Sequence, residues 1–188
     1  DVVAGGAILA SGPVQSQPSQ PQSAEQAQRA ARLASFRAFA EPYVGEWAAS
    51  IEDFDADGKL VWSDKQRRIF EFSMSPHFLE ERAILKRPDG TDYEGGLHLT
   101  TWDPTSDRIV QHGFWLLRQP DPLFRIEGRA KGRDFTAELN IREENGSVSS
   151  KRFTMRWAGP DSWLLETTEK RDDGPAFVSS RITYTKGD

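Results

Sequence analysis

From Tyr43 to the last residues, polar and apolar side chains alternate with period two in one stretch after another, and no helical stretch interrupts them. Strands are expected near 44–52, 60–73, 77–87, 93–103, 108–119, 123–131, 133–143, 149–158, 161–171 and 176–185. Turn signals separate them: Asp57-Gly58, Ser75-Pro76, Pro88-Asp89-Gly90, Pro104 to Asp107, Gln119 to Pro122, Lys131-Gly132, Asn145-Gly146, Gly159-Pro160-Asp161 and Asp172-Asp173-Gly174. Ten strands at regular spacing, each long for a sandwich, predict an all-β fold, an up-and-down antiparallel barrel.

Alternation also sorts faces. Phe135, Ala137, Leu139 and Ile141 oppose Thr136, Glu138 and Asn140, while Phe153, Met155 and Trp157 oppose Thr154 and Arg156, so the apolar sets should point inward. Two strands, 77–87 and 108–119, are apolar on both faces: Phe78 and Ile84 against Leu79, Ala83 and Leu85, then Ile109, Trp115 and Leu117 against Val110, Phe114 and Leu116. A strand apolar on both sides needs a cover outside, either the N-terminal helix or a second copy in a homodimer.

That helix begins at Ser23, where composition shifts to Ala, Gln, Glu and Arg and Ala27, Ala30, Leu33, Ala34, Phe36 and Phe39 recur at helical spacing. Ser23 with Gln26 three residues on forms a capping box, and Phe36 and Phe39 suit a lid across one barrel mouth. Residues 1–22 form a separate tail, with residues 23–188 as helix plus barrel. Its first ten residues, DVVAGGAILA, are too short to span a bilayer and read as the end of a signal peptide before a Gln/Pro/Ser linker. A periplasmic or secreted location is expected on that reading; a cytoplasmic tail is the alternative.

Cysteine is absent, which excludes a disulfide framework and thiolate metal sites. Net charge is −5, with basic and acidic residues interleaved, so nucleic acid is not an expected partner. There is no G-x-S-x-G, P-loop, dinucleotide fingerprint or H-E-x-x-H. Asp53, Asp55, Asp57 and Gly58 echo a calcium loop, but Asp64 stands where its closing glutamate belongs, and a hairpin turn is the better reading. No metal site and no cofactor are expected.

Three places carry a resemblance. Gly45-x-Trp47 opens the first strand, Trp102-Asp103-Pro104 ends a strand before a hairpin, and Arg181 lies on the last strand. In their order along a ten-strand meander they resemble the lipocalin-like (calycin) barrels, especially a bacterial group of uncharacterised lipocalin-like domains. The resemblance implies a calycin-like barrel that holds a small apolar ligand, with Arg181 stacked over Trp47 to close one end at a gain of about 1 kcal/mol. The chain departs from secreted animal lipocalins in lacking cysteines and a C-terminal helix.

Twenty residues are aromatic (6 Trp, 11 Phe, 3 Tyr), enough to line a cavity as well as fill a core. Candidate walls are Trp47, Ile51, Phe70, Leu85, Leu99 and Trp115 from the first half, then Phe135, Leu139, Phe153, Trp157, Trp163 and Tyr184. The leading expectation is binding of a small hydrophobic molecule, lipid-like, isoprenoid or aromatic. A second is a cofactor-free isomerase, cyclase or hydratase using the same cavity, with His98, His112, Glu80 or Tyr93 carrying protons. Hairpin geometry puts His98 and His112 almost opposite each other, which also raises haem binding through either. Alternation with Leu97 and Leu99 turns His98 outward, so a solvent-facing or structurally bonded pair is the plain reading. Glu81, Arg82, Glu94, Arg156, Glu166 and Thr168 complete the polar groups a lumen could aim at a ligand.

Overall fold

The computed structural model describes residues 23–73, 75–115, 123–142, 148–171 and 174–187, with the backbone alone at 114–115, 123–124, 140–142 and 148–149. The expected tail, the turn signals at 119–122 and 145–146, and residues 116–117 lie outside the described residues. One helix, α1 (Ala24–Ala40), leads through a single 3-10 turn (Glu41–Tyr43) into ten strands. These are β1 (Gly45–Phe54), β2 (Leu60–Phe72), β3 (Phe78–Lys86), β4 (Asp92–Asp103), β5 (Arg108–Trp115), β6 (Leu123–Lys131), β7 (Asp134–Arg142), β8 (Val148–Gly159), β9 (Ser162–Arg171) and β10 (Phe177–Lys186). Each pairs antiparallel with the next in sequence, and β1 pairs with β10, closing the meander into a ten-strand barrel with no free edge.

Closure gives every residue one of two fates, lumen or exterior. Register then places residues together on the inner face: Trp47, Ala49 and Ile51 of β1 stand beside Lys186, Tyr184 and Ile182 of β10. Phe135 and Ala137 stand beside Met155 and Phe153, as alternation requires. Ladder shifts at Asp53/Phe54, Ala83/Ile84, Trp157/Gly159 and Val178/Ser180 give the strands the local bends a closed sheet needs.

Helix α1 sits at the end of the barrel where β1 begins. Its capping box forms as expected, Gln26 N donating to Ser23 Oγ at 3.2 Å and Ser23 N to Gln26 Oε1 at 3.0 Å. Phe36, Phe39 and Ala40 are buried in the same cluster as Tyr43, Trp47 and Phe135, so the helix plugs that end. Among the described residues the outer face therefore gets no helical cover: Phe78, Ile84 and Leu99 lie there half-buried. An ion pair between Arg32 and Asp107 (2.9 Å) ties the helix to the β4–β5 turn. In that turn Asp103 accepts bonds from Thr105 N and Ser106 Oγ, both at 2.9 Å, which hold its carboxyl below the usual range. Asp55 caps the β1–β2 turn likewise, accepting from Asp57 N (3.1 Å) and Lys59 N (2.8 Å), the hairpin expected in place of a calcium loop.

Gly45 enters β1 at φ +129°, a conformation costly for any residue with a Cβ, and this turns Trp47 into the barrel end. Its indole N–H donates to Tyr43 O at 2.7 Å, and the side chain is fully buried. The cation over Trp47 is not Arg181. Lys186 Nζ lies 5.5 Å from the Trp47 ring centroid, whereas Arg181 sits over Phe54 at 5.5 Å and pairs with Glu166 on the exterior. One register step decides this, since Arg181 pairs with Glu52 and immediately precedes the inward Ile182.

Gly128 marks a close approach to backbone on the inner face. A Cβ there would lie 2.4 Å from Thr136 O and 2.5 Å from Phe135 Cζ. Gly128→Ala is therefore expected to destabilise the barrel by about 1–3 kcal/mol, since a backbone oxygen cannot rotate away; urea unfolding measures it.

Candidate functional site

The end nearest α1 is floored with aromatic rings. Trp163 stacks on Tyr184 with centroids 3.5 Å apart and planes 7° from parallel, and meets Tyr43, Trp47 and Phe70 edge-on at 5.0, 6.1 and 5.8 Å. Trp157 joins through Tyr43 and Trp47. Tyr43 donates its hydroxyl to Arg133 O at 2.6 Å, and burial raises its pKa. Burial also raises that of Tyr184, assisted by the nearby Glu81 charge.

Beside this floor, three strands deliver a buried polar network. Arg68 of β2 donates from Nη1 to Glu81 Oε1 and from Nη2 to Gln66 Oε1, both at 2.7 Å. Gln66 Nε2 donates in turn to Asp64 at 2.9 Å. His98 of β4 meets the other carboxylate oxygen, with Nδ1 2.9 Å from Glu81 Oε2. Arg68 is 1% exposed and Glu81 and His98 each 6%, so both oxygens of an almost dry carboxylate are engaged by cation and imidazole. Burial alone would raise the Glu81 pKa, but His98 and Arg68 more than reverse it, leaving it at about 2. Glu81 is thus ionised, and Nδ1 carries the proton it donates. A second buried carboxylate, Glu169 of β9, is paired with Arg171 Nε (2.5 Å) and Lys151 Nζ (3.6 Å).

The expected proton carriers separate. His98 points into the lumen, not outward, because Glu81, its neighbour across the ladder, shares the face of Leu79 and Ala83. His112 is exposed on the outer face: it pairs with Leu99, one step out of register with His98, whose own partner is Gly113. The two imidazoles therefore lie on opposite sides of the wall. Glu80 is also outside, 3.5 Å from Arg82 Nε in a network with Glu71 and Glu94. Tyr93 is half-buried under Arg87, whose Cζ is 4.8 Å from its ring centroid.

Among the wall candidates, Trp47, Phe70, Phe135, Trp163 and Tyr184 are buried in the core cluster, with Ile51 buried beside Ile182. Phe153, Trp157 and Leu139 pack against that cluster half-buried. Leu85 lies over Gly95, where a Cβ would come within 2.2 Å of its Cδ1. Leu99 alternates with His98 and so belongs to the exterior, a correction that follows from the same register. Trp115 ends β5, and its side chain is outside the described residues. Arg156, Glu166, Thr168 and Glu94 share the outer face.

Period-two alternation does not single out Arg68, whose stretch DKQRRIFEF carries charge on both faces. The signal was parity: Phe70 fixes the inward set on β2, and Gln66 and Arg68 fall in step with it. Among the described residues no three of His, Cys, Asp and Glu stand close enough to share an ion, and no helix is long and apolar enough to cross a membrane.

No family model and no curated protein matches this chain. Among solved structures it is similar to a redesigned β barrel at TM-score 0.38 and 14% identity, covering 80% of this chain and 96% of that one. A second redesigned barrel, mFAP1, solved bound to DFHBI, matches at TM-score 0.36 and 16% identity, covering 80% and 99%.

Proposed function

We propose that this barrel, a calycin-like one by architecture, binds a small apolar or aromatic molecule in its lumen. One observation carries the reading: inward-facing apolar side chains of β7 to β10, namely Leu139, Phe153, Met155, Leu165 and Ile182, are only half-buried, although they face the inside of a closed cylinder. Apolar surface left wet on an inner wall is surface a ligand can desolvate, at about 25 cal/mol per Å² covered. The aromatic floor supplies a rigid lower limit, and the Arg68–Glu81–His98 network a polar handle.

Titration with the apolar dye anilinonaphthalene sulfonate tests this. Leu60, Val61 and Trp62, at 48%, 60% and 43% exposure, form a rival dye site at the start of β2. Ile182→Lys is expected to weaken dye binding at least tenfold and Val61→Lys to leave it unchanged. The reverse pattern would put the dye on the exterior and end the reading. A haem alternative now rests on His98, the inward imidazole, and predicts a Soret band on haemin titration that His98→Gln removes.

A further inference from the structure

The inner face of β8 changes character along its length. From the aromatic floor towards the opposite end it runs Trp157, Met155, Phe153 and then Lys151, which stands between Leu139 of β7 and Glu169 of β9. Six residues separate Lys151 from Trp157, about 20 Å of strand, and the apolar side chains between them are the half-buried ones. A charged head thus sits at the far end of a wet apolar stripe.

Lys151 carries more charge than its surroundings require. Glu169 is 5% exposed, and Arg171 Nε already donates to its Oε1 at 2.5 Å. Lys151 Nζ stays 3.6 Å from Oε2, beyond hydrogen-bond distance, and makes no hydrogen bond among the described residues. Two cations therefore meet one carboxylate, which leaves one positive charge in excess and the three ammonium donors without a protein acceptor. A lysine placed only to neutralise Glu169 would close that gap, since a charged pair with a hydrogen bond in it is the stronger arrangement. Its side chain is a third exposed although the position faces the inside, so the ammonium can be reached. Asp64 of β2, inward beside Ile51, has the opposite sign and is bonded to neutral donors, Gln66 Nε2 and Lys65 N. An anion entering the barrel is repelled there and drawn to β8.

We propose that the ligand of this lumen is an amphipathic anion, a long apolar body ending in one carboxylate. The body lies along Phe153 and Met155 towards the aromatic floor, and the carboxylate accepts hydrogen bonds from Lys151 Nζ. This inference names the ligand class and rests on lumen binding as proposed above.

The probe is cis-parinaric acid, whose fluorescence rises in apolar surroundings, set against its methyl ester, the same body without the charge. Lys151→Met is expected to weaken the acid about tenfold and leave the ester unchanged, whereas Lys151→Arg keeps the acid. Glu169→Gln removes the competing carboxylate and should tighten the acid severalfold, again with the ester unchanged, a gain that a merely structural role does not give. Should these variants fail to fold, displacement of the bound acid from the wild-type barrel decides: dodecanoate is expected to compete and dodecyltrimethylammonium to compete far less. Equal competition by the two, or equal effects of Lys151→Met on acid and ester, overturns the proposal. If the ester binds, is weakened by Ile182→Lys, and the acid is indifferent to Lys151→Met, the headgroup assignment falls and lumen binding stands. Binding of neither probe removes both.

Discussion

Glu81→Ala is expected to destabilise the barrel by about 3–5 kcal/mol, because it leaves the Arg68 guanidinium, 1% exposed, without its carboxylate partner. Arg68→Ala should be similarly damaging, since it strands Glu81 beside apolar walls. The double variant Arg68→Met/Glu81→Leu is the informative one. Both charges leave together and apolar side chains of comparable volume replace them, so its loss should be much smaller than the sum of the single losses. Urea unfolding of the four proteins completes the cycle. If the singles cost no more than a surface pair, below about 1 kcal/mol, the network is wet rather than buried dry.

Acid unfolding gives the same network a second reading. The Glu81 pKa falls from an ordinary 4.5 to about 2 on folding. Its contribution to stability is therefore fully present above about pH 4.5 and is lost as pH falls towards 2, where the folded carboxylate also protonates. The Arg68→Met/Glu81→Leu variant lacks this group and should show a flatter loss of stability across that window.

Trp163→Ala is the second large effect, about 3–5 kcal/mol, measured in the same way. Trp163 is 1% exposed, stacks on Tyr184 and touches three further rings edge-on, so its removal opens a void no neighbour can fill without giving up its own contacts. Trp163→Phe should lose less than about 2 kcal/mol. It keeps a ring against Tyr184 and removes a buried indole N–H that has no hydrogen-bond partner among the described residues. Equal losses for the two variants would mean that the six-membered ring contributes little and the stack is incidental.

The period-two pattern was enough for the strand count, the meander order and most strand limits, because alternation and turn chemistry are local. Predicted strands such as 60–73 and 161–171 differ from β2 (Leu60–Phe72) and β9 (Ser162–Arg171) by a residue at an end. The helix start was equally legible, since a Ser23–Gln26 capping box is written into four residues. Wherever one face was clearly apolar, as at Phe135 and Ala137, the inward set was legible too.

What failed was the direction of strands with apolar residues outside. Leu97 and Leu99 look like a core face, and they turned His98 outward on paper; the closed cylinder turns it inward because β4 is locked to β3 with His98 beside Glu81. The same lock separates His98 from His112 by a single residue of register. Local alternation thus determined that a ten-strand barrel forms and where each strand runs. Only tertiary closure decided which side of β4 is inside, and so brought an arginine, a glutamate and a histidine from three strands into hydrogen-bond contact. Curvature and register belong to the whole sheet, and no single strand carries them.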